Sequence, residues 1–498
     1  MAKWFGRIFL ISLVFAALCG TAVPARAVAG APPRPNIVFV LTDDLADNLV
    51  TPQFTPNLWS LMHQGTSFSN YFVADSLCCP SRASIFTGRF PHDTGVYSNS
   101  GSEGGYPAFN SHGDETSTVA TDLHAAGYRT AMMGKYLNEY RTSDPPAPGW
   151  DVWDVADWGY PEFNYSLNEN GRVVHYGGPN QPGHDNYLTD VLSSLGDSFI
   201  TETVKDHPSQ PFFLELATFA PHMPFTPAPR YANLYPGLQY PKTPAFDAGA
   251  INPPPWLGHR QPLSAKQLAL INKQFRMRAQ SMRSVDDMIG KLVGTLQATG
   301  ELRDTYFVFS SDNGLHMGDH RLMPGKLTAF DTDINVPLIV VGPGVRRGHG
   351  ATSFAQNIDL RSTFDAFART KPSEVVDGRS LVPLLSTTSR TNGPPKDWPQ
   401  GALIEHLGPV DNKQDPDYQN EQNANPPSYE ALRLPGALYV EYSYGFREYY
   451  NLTEDPYELD NVYGSLPSGR RTALHDELVK AERCHNAKAC AAPFVVSS

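Results

Sequence analysis

Four short apolar runs constrain this chain more than any other feature: residues 36–41 (NIVFVL), 211–217 (PFFLELA), 305–310 (TYFVFS) and 336–341 (VPLIVV). They are rich in β-branched and aromatic residues and do not alternate with polar ones. That pattern marks strands buried on both faces, as in a parallel sheet covered by helices. Helical patterns lie between them, at residues 118–128 (closed by Gly127), 185–206 and 264–300. In the last, Met282, Val285, Met288, Ile289 and Leu292 recur at three- and four-residue steps, a core-facing stripe. Strands alternating with helices predict an α/β doubly wound sheet with helices on both faces. At 498 residues the chain can bury one large core or two domains.

In sheets of this kind ligands bind beyond the carboxyl ends of the strands. The first run ends in Asp43-Asp44 and the third leads into Asp312-Asn313. A short strand at 129–133 leads to Lys135, and the 211–217 run delivers His222 on a proline-flanked loop. Each alone has an ordinary reading, a turn cap or a solvated side chain. Together, Asp43, Asp44, Asp312 and Asn313 offer hard oxygen ligands that suit Ca2+ or Mg2+, and no thiolate or multi-histidine zinc pattern competes. Arg82, Lys135, Lys326 and His222 add the groups of an oxyanion cage, and His316 follows the third strand closely.

Residues 77–92 read LCCPSRASIFTGRFPH. Proline in a first turn and glycine past the end predict a short helix that stops at Thr87-Gly88, with Cys78 at its N-terminus. Backbone N–H groups there favour an anion, and Arg82 stands one turn in. The ordinary reading is a buried cysteine pair. Residues 1–27 weigh against it: Lys3 and Arg7, an apolar run at 8–18 and Ala25-Arg26-Ala27 form a secretory signal peptide cleaved near Ala27. The run is too short to span a bilayer, so no stable membrane insertion is expected. In a secreted or periplasmic compartment Cys484 and Cys490 are expected to pair. Cys78 and Cys79 are then left over, and two neighbouring free thiols in an exported protein need a reason. The formal net charge of −12 argues against nucleic acid or an anionic membrane as partner.

Elsewhere, residues 150–186 are aromatic and rich in Gly and Asn without sustained period, and read as long loops at the mouth of the site. Residues 387–428, rich in Pro, Asn, Gln and acids, read as a linker or loop into a smaller region. There 437–444 and 447–452 alternate as an antiparallel hairpin, and 470–484 form a final helix. The expected organisation is a signal peptide at 1–27, a catalytic α/β domain at 28–386 and a smaller α+β region with an antiparallel sheet at 387–498.

The segment CCPSR continuing to TGR, at Cys78 to Arg89, resembles the C-x-P-S-R…T-G-R signature of the type I sulfatases. Further matches run in order: NIVFVLTDD (36–44), GYRTAMMGKYLNEY (127–140), APH (220–222), SDNG (311–314), VPLIVVGPG (336–344), DGRSLVPLL (377–385) and EYYNLTEDPYELDN (448–461). The resemblance implies an alkaline-phosphatase-like fold and conversion of Cys78 to Cα-formylglycine by a formylglycine-generating enzyme. The aldehyde's hydrate would attack sulfur, release the alcohol, and then expel sulfate as the aldehyde re-forms. It also implies a cation held by Asp43, Asp44, Asp312, Asn313 and the modified Cys78, with Arg82 orienting the hydrate. Lys135, Lys326 and His222 would bind the sulfate oxygens, and His222 or His316 would protonate the leaving group. CCPSR, GKYLNEY and YSLNENG are most similar to N-acetylglucosamine-6-sulfatases and related heparan sulfate sulfatases, while Leu137 and Asn335 replace a histidine and an arginine usual in arylsulfatases. The resemblance therefore implies an exported enzyme whose partner is a small-molecule or oligosaccharide sulfate ester. An arylsulfatase-like or phosphonate/phosphodiester hydrolase, and an inactive sulfoglycan-binding protein of the same fold, are the alternatives.

Overall fold

The structure is a computed structural model that describes residues 33–158, 160–178, 186–258, 260–387 and 394–490, with Met1 and Trp4. Arg34–Ser498 form one compact unit and Met1–Pro33 another. Apart from Met1 and Trp4, the signal peptide expected at 1–27 lies outside the described residues. Among those residues no helix is long and apolar enough to cross a membrane.

The apolar runs form the centre of a mixed sheet with ten strands among the described residues. In spatial order these are His349–Ala351, Thr66–Phe68, Leu338–Val341, Thr305–Ser311, Asn36–Thr42, Phe212–Ala217, Arg129–Gly134, Val152–Ala156, Tyr165–Glu169 and Arg172–Tyr176. Asn36–Thr42 is parallel to both neighbours, with Val38 beside Leu214 on one side and Phe307 on the other. Arg129–Gly134 is parallel to Phe212–Ala217 and to Val152–Ala156. The 336–341 run enters antiparallel, as Leu338–Val341. Every residue of Asn36–Thr42 is buried because both faces are covered. Ile37, Phe39 and Leu41 pack with Ile85, Phe86, Leu123 and Phe364 of the helices on one face. Val38 and Val40 pack with Leu192, Phe199, Met282, Val285 and Ile289 on the other. Each such side chain contributes roughly 2 kcal/mol on burial.

The long helix is Ala265–Thr299, begun by a capping box between Ser264 and Gln267 and ended at Gly300. Both signals are local, which is why its limits were readable. The smaller region carries a four-stranded antiparallel sheet ordered Ala402–His406, Tyr429–Leu434, Ala437–Tyr442 and Arg447–Asn451. The helix Ser468–Ala481 follows, and Cys484 is bridged to Cys490.

Two sequence expectations are corrected. Residues 150–186 are not simply loops: Val152–Ala156, Tyr165–Glu169 and Arg172–Tyr176 extend the large sheet to its edge. The last two are antiparallel and turn at Asn170-Gly171, where φ is 51° and 88°. Both turn residues must be left-handed in the tight hairpin that Asn-Gly favours, a local signal outweighed by the aromatic and glycine content around it. Residues 387–428 are not simply a linker, since Ala402–His406 is the first strand of the smaller sheet. Residues 388–393 lie outside the described residues.

One buried acid gives the sheet a pH dependence. Glu215, in the strand Phe212–Ala217, is fully buried with both carboxylate oxygens unpartnered. Burial pushes its pKa up to about 8, with Arg82 opposing only in part. A folded-state pKa above the ordinary 4.5 means the native state holds the proton longer, so stability falls as pH rises from about 4.5 towards 8. Glu215→Gln is expected to raise stability by roughly 4 kcal/mol at pH 7.5 and by less than about 0.5 kcal/mol at pH 4.5. Urea denaturation at the two pH values checks this, and an equal gain at both would refute it.

Candidate active site

The helix Cys78–Thr87 starts from an extended Leu77 and ends at Gly88, and all ten of its residues are buried. Cys78 therefore stands in the first turn with its thiol inside the protein. Lys326 Nζ donates to its Sγ at 2.8 Å, Asp43 Oδ1 is 3.5 Å away and Asp417 Oδ2 3.8 Å. Cys79 is also free and buried, and its N–H donates to Asn99 Oδ1 at 3.0 Å.

Parallel strand pairing brings the acids together, because the neighbouring strands all end at one edge. Asp43 and Asp44 follow Asn36–Thr42, and Asp312 and Asn313 follow Thr305–Ser311 beside it. Asp44 is held at φ 60°, its N–H donating to Asp312 Oδ1 at 3.2 Å and its carbonyl accepting from Arg278 at 2.5 Å. A left-handed aspartate is strained backbone that its surroundings must impose. Lys135 follows Gly134, where φ is 100° and a Cβ would lie 2.0 Å from the Ala217 carbonyl oxygen. Only glycine lets that strand end close enough to aim Lys135 inward.

The cations interlock with the acids. Lys135 Nζ donates to Asp43 Oδ2 at 2.6 Å. Arg82 donates to Asp312 Oδ2 at 2.8 Å and to the Lys135 carbonyl at 3.0 Å. Lys326 Nζ reaches Asp44 Oδ1 at 2.8 Å as well as Cys78. His222 uses Nδ1 on the Met223 carbonyl at 2.6 Å, which points Nε2 into the cluster, 3.4 Å from Asp44 Oδ2. Burial would lift Asp43, but Lys135, then His222, Arg82 and Lys326, outweigh it and hold its carboxyl at about 2. Burial would lower His222, but the Asp44, Asp417 and Asp43 carboxylates raise it above its ordinary value. The Cys78 thiol is pushed well up, by burial first and then by Asp417.

The donor set fits a hard divalent cation. Ligand atoms of Asp43, Asp44, Cys78 and His222 all lie within 4.8 Å of one another. Asn313 Oδ1 is buried with no partner, an acceptor of the kind a cation satisfies. Asp312 is lifted to about 6, by burial first and then by Asp43, with Arg82 and Lys135 opposing.

The structure thus gathers Asp43, Asp44, Cys78, Arg82, Lys135, His222, Asp312, Asn313 and Lys326 in one buried cluster. His316 does not join it. Its Nδ1 engages Asp333 at 2.9 Å and its Nε2 the Asn423 carbonyl at 2.9 Å, so both ring nitrogens are used elsewhere. Four further residues belong to the site without having been singled out. Asn99 and Asn138 each donate to Asp417 Oδ2 at 3.0 Å, and the Tyr160 hydroxyl donates to the same oxygen. Tyr160 stacks on His222 with ring centres 3.7 Å apart. Asn138 was within reach, three residues after Lys135 in the same motif. Asp417 had no local signal, lying 339 residues from Cys78 in the segment read as a linker.

Residues 35–368 match the sulfatase family model. The chain belongs to the sulfatase family. It is 33% identical to human N-acetylglucosamine-6-sulfatase, over 94% of this chain and 88% of that protein. A solved structure of a protein with its substrate D-glucosamine-2-N,6-O-disulfate superposes with a TM-score of 0.71 at 21% identity, over 90% of this chain and 98% of that one. The phosphonate monoester hydrolase of Agrobacterium radiobacter superposes at 0.67 with 20% identity, over 90% and 95% of the two chains. This sulfatase is a sulfuric ester hydrolase with an alkaline-phosphatase-like fold, and membership of the family implies a metal ion and a formylglycine.

Lys326 is the link most exposed to test, because it faces Asp44, Asp417 and Cys78 at once while only 1% exposed. Lys326→Met is expected to lower stability by roughly 3 kcal/mol, since it leaves buried carboxylates uncompensated. Adding Asp417→Asn should recover part of that loss. Chemical denaturation of the two variants checks this, and simple additivity would contradict the coupling.

Proposed function

We propose that Cys78 is the residue converted to formylglycine, and that this sulfatase is an exported hydrolase of sulfated amino sugars such as N-acetylglucosamine 6-sulfate. The observation that carries the reading is the position of Cys78 Sγ, 2.8 Å from Lys326 Nζ and 3.5 Å from Asp43 Oδ1, at a helix N-terminus inside a cluster of cations. An unmodified thiol is poorly suited to that place. With its pKa pushed well up it stays protonated at neutral pH, and the thiolate is the nucleophilic form. Formylglycine, once made, supplies a hydrated aldehyde whose hydroxyl attacks sulfur.

Asp43, Asp44, Asp312 and Asn313 would hold the cation, and their hard oxygens favour Ca2+, with Mg2+ as the alternative. When bound, it supplies Lewis-acid neutralisation of charge on the sulfate. The protein's own groups do the rest. Arg82 is tied to Asp312 and to the Lys135 carbonyl, so it stiffens the floor of the site. Lys326 and Lys135 present fixed positive charge to the sulfate oxygens. Such preorganised donors are worth about 3 kcal/mol each in the transition state. His222, charged because its neighbours are carboxylates, holds a proton on Nε2 for the leaving alkoxide. His316 takes no part in that transfer and pins Asn423 instead.

The human relative supports the sugar assignment by its name, and the sulfated glucosamine held by the structural neighbour is of the same class. The bridge between Cys484 and Cys490, together with the signal-like residues 1–27, supports export.

Peptide mass analysis of residues 77–82 from the native host is expected to show an aldehyde at position 78, and an intact thiol would overturn the formylglycine assignment. With modified enzyme, a 6-sulfated glucosamine should be turned over faster than an aryl sulfate or a phosphodiester. Preference for the phosphodiester would move the substrate to the phosphoryl class. Exhaustive chelation should abolish turnover, and Ca2+ should restore it better than Mg2+ does; full activity after chelation would remove the cation from the reading.

A further inference from the structure

The cation cluster already holds an anion, and that anion is part of the chain. The Asp417 carboxylate accepts from Lys326 Nζ at 2.9 Å and from His222 Nε2 at 2.5 Å through Oδ1. It accepts from Asn99 and Asn138 at 3.0 Å, and from the Tyr160 hydroxyl, through Oδ2. Five donors converge on one carboxylate that is only 3% exposed. Its Oδ2 is 3.8 Å from Cys78 Sγ. A reacting sulfur must come to about 3–3.5 Å from the attacking atom, so the space Asp417 fills is space the sulfate group needs. In this conformation Cys78 is fully buried and no sulfate ester can reach it.

We infer that Asp417 is an internal stand-in for the sulfate group, carried on a loop that must withdraw for the ester to bind and that competes with sulfate for the cage on return. This rests on the cage being the sulfate site proposed above. The exchange is matched in charge, since a sulfate monoester and a carboxylate each carry one negative charge. Lys326 and His222 therefore keep an anionic partner throughout, and the cage is never left as unpaired buried cations. The loop is suited to such movement. It joins Ala402–His406 to Tyr429–Leu434 and has no regular strand of its own. Its base is fastened by Asn423, which donates to the Pro324 carbonyl at 2.7 Å and accepts from His316. Apart from the five donors on the Asp417 carboxylate, its tip is held by the Asp417 N–H to Asp415 Oδ1 at 2.9 Å and by Asn412 to Ser100 at 2.9 Å. The tip can swing out without breaking the smaller sheet. After hydrolysis the returning carboxylate competes with bound inorganic sulfate and speeds its departure.

An occupant present in nine molecules of ten lowers the apparent affinity of its competitor about tenfold. Calorimetric titration of inorganic sulfate into metal-loaded wild-type protein, Asp417→Asn and Asp417→Ala should therefore show dissociation constants about tenfold lower in both variants. KM for a 6-sulfated glucosamine should fall in parallel, and product inhibition by sulfate should deepen. Sulfate affinity equal to or weaker than wild type in Asp417→Asn, as expected of a structural or sulfate-holding residue, would overturn the inference, as would an absence of sulfate binding in all three proteins. Should the variants fail to fold, hydrogen exchange on the wild type decides: saturating sulfate should speed exchange at residues 410–418, and unchanged exchange there counts against the loop. Both readouts are independent of turnover. Failure to hydrolyse any sulfate ester would defeat the proposed function while leaving tighter sulfate binding by Asp417→Asn to stand.

Discussion

Mutual compensation of charge in a dry site is the interaction on which this structure depends. Asp43, Asp44, Asp312 and Asp417 are each at most 3% exposed, and so are Arg82, Lys135 and Lys326, with His222 at 5%. Any one of these charges alone in a protein interior costs several kcal/mol. Together they offset one another's burial, as the low pKa of Asp43 and the raised pKa of His222 both express. The consequence is chemical as well as structural, because an array fixed in place before the substrate arrives need not reorganise as charge develops on the reacting group.

The sheet delivers the array. Parallel pairing aligns the ends of Asn36–Thr42, Thr305–Ser311, Phe212–Ala217 and Arg129–Gly134, so residues far apart in the chain meet at one edge. The helix Cys78–Thr87 then brings its first turn to the same edge, and Arg82 locks it there through Asp312. Backbone constraint completes the arrangement, with glycine at Gly134 and a strained Asp44 held by Asp312 and Arg278.

The smaller C-terminal region is part of the site and not an appendage. It supplies Asp417 to the cage, and its loop is anchored by a histidine whose place in the sequence suggested catalysis. His316 illustrates how burial redirects a residue: Asp333 and the Asn423 carbonyl consume both ring nitrogens, leaving none for substrate. Tyr160 runs the other way. From a segment read as loops it reaches the centre of the site, stacked on His222.

What the sequence determined by itself was everything encoded within one element or one motif. Buried strands announced themselves as unbroken apolar runs, the long helix by its stripe, and the helix that begins at Cys78 by Pro80 and Gly88. The strand-end acids Asp43, Asp44, Asp312 and Asn313 were legible because a doubly wound sheet gathers such ends at one edge. Periodicity, capping and turn chemistry act over a few residues, so they can be read from a few residues. The tertiary structure alone decided that Asp417 occupies the cage, that Asn99 and Tyr160 reach it, and that His316 serves the loop instead. Those outcomes rest on contacts across more than a hundred residues of chain, between a loop with no periodic signal and a pocket built by other elements. No local propensity distinguishes an aspartate that will lie in solvent from one that five donors will surround.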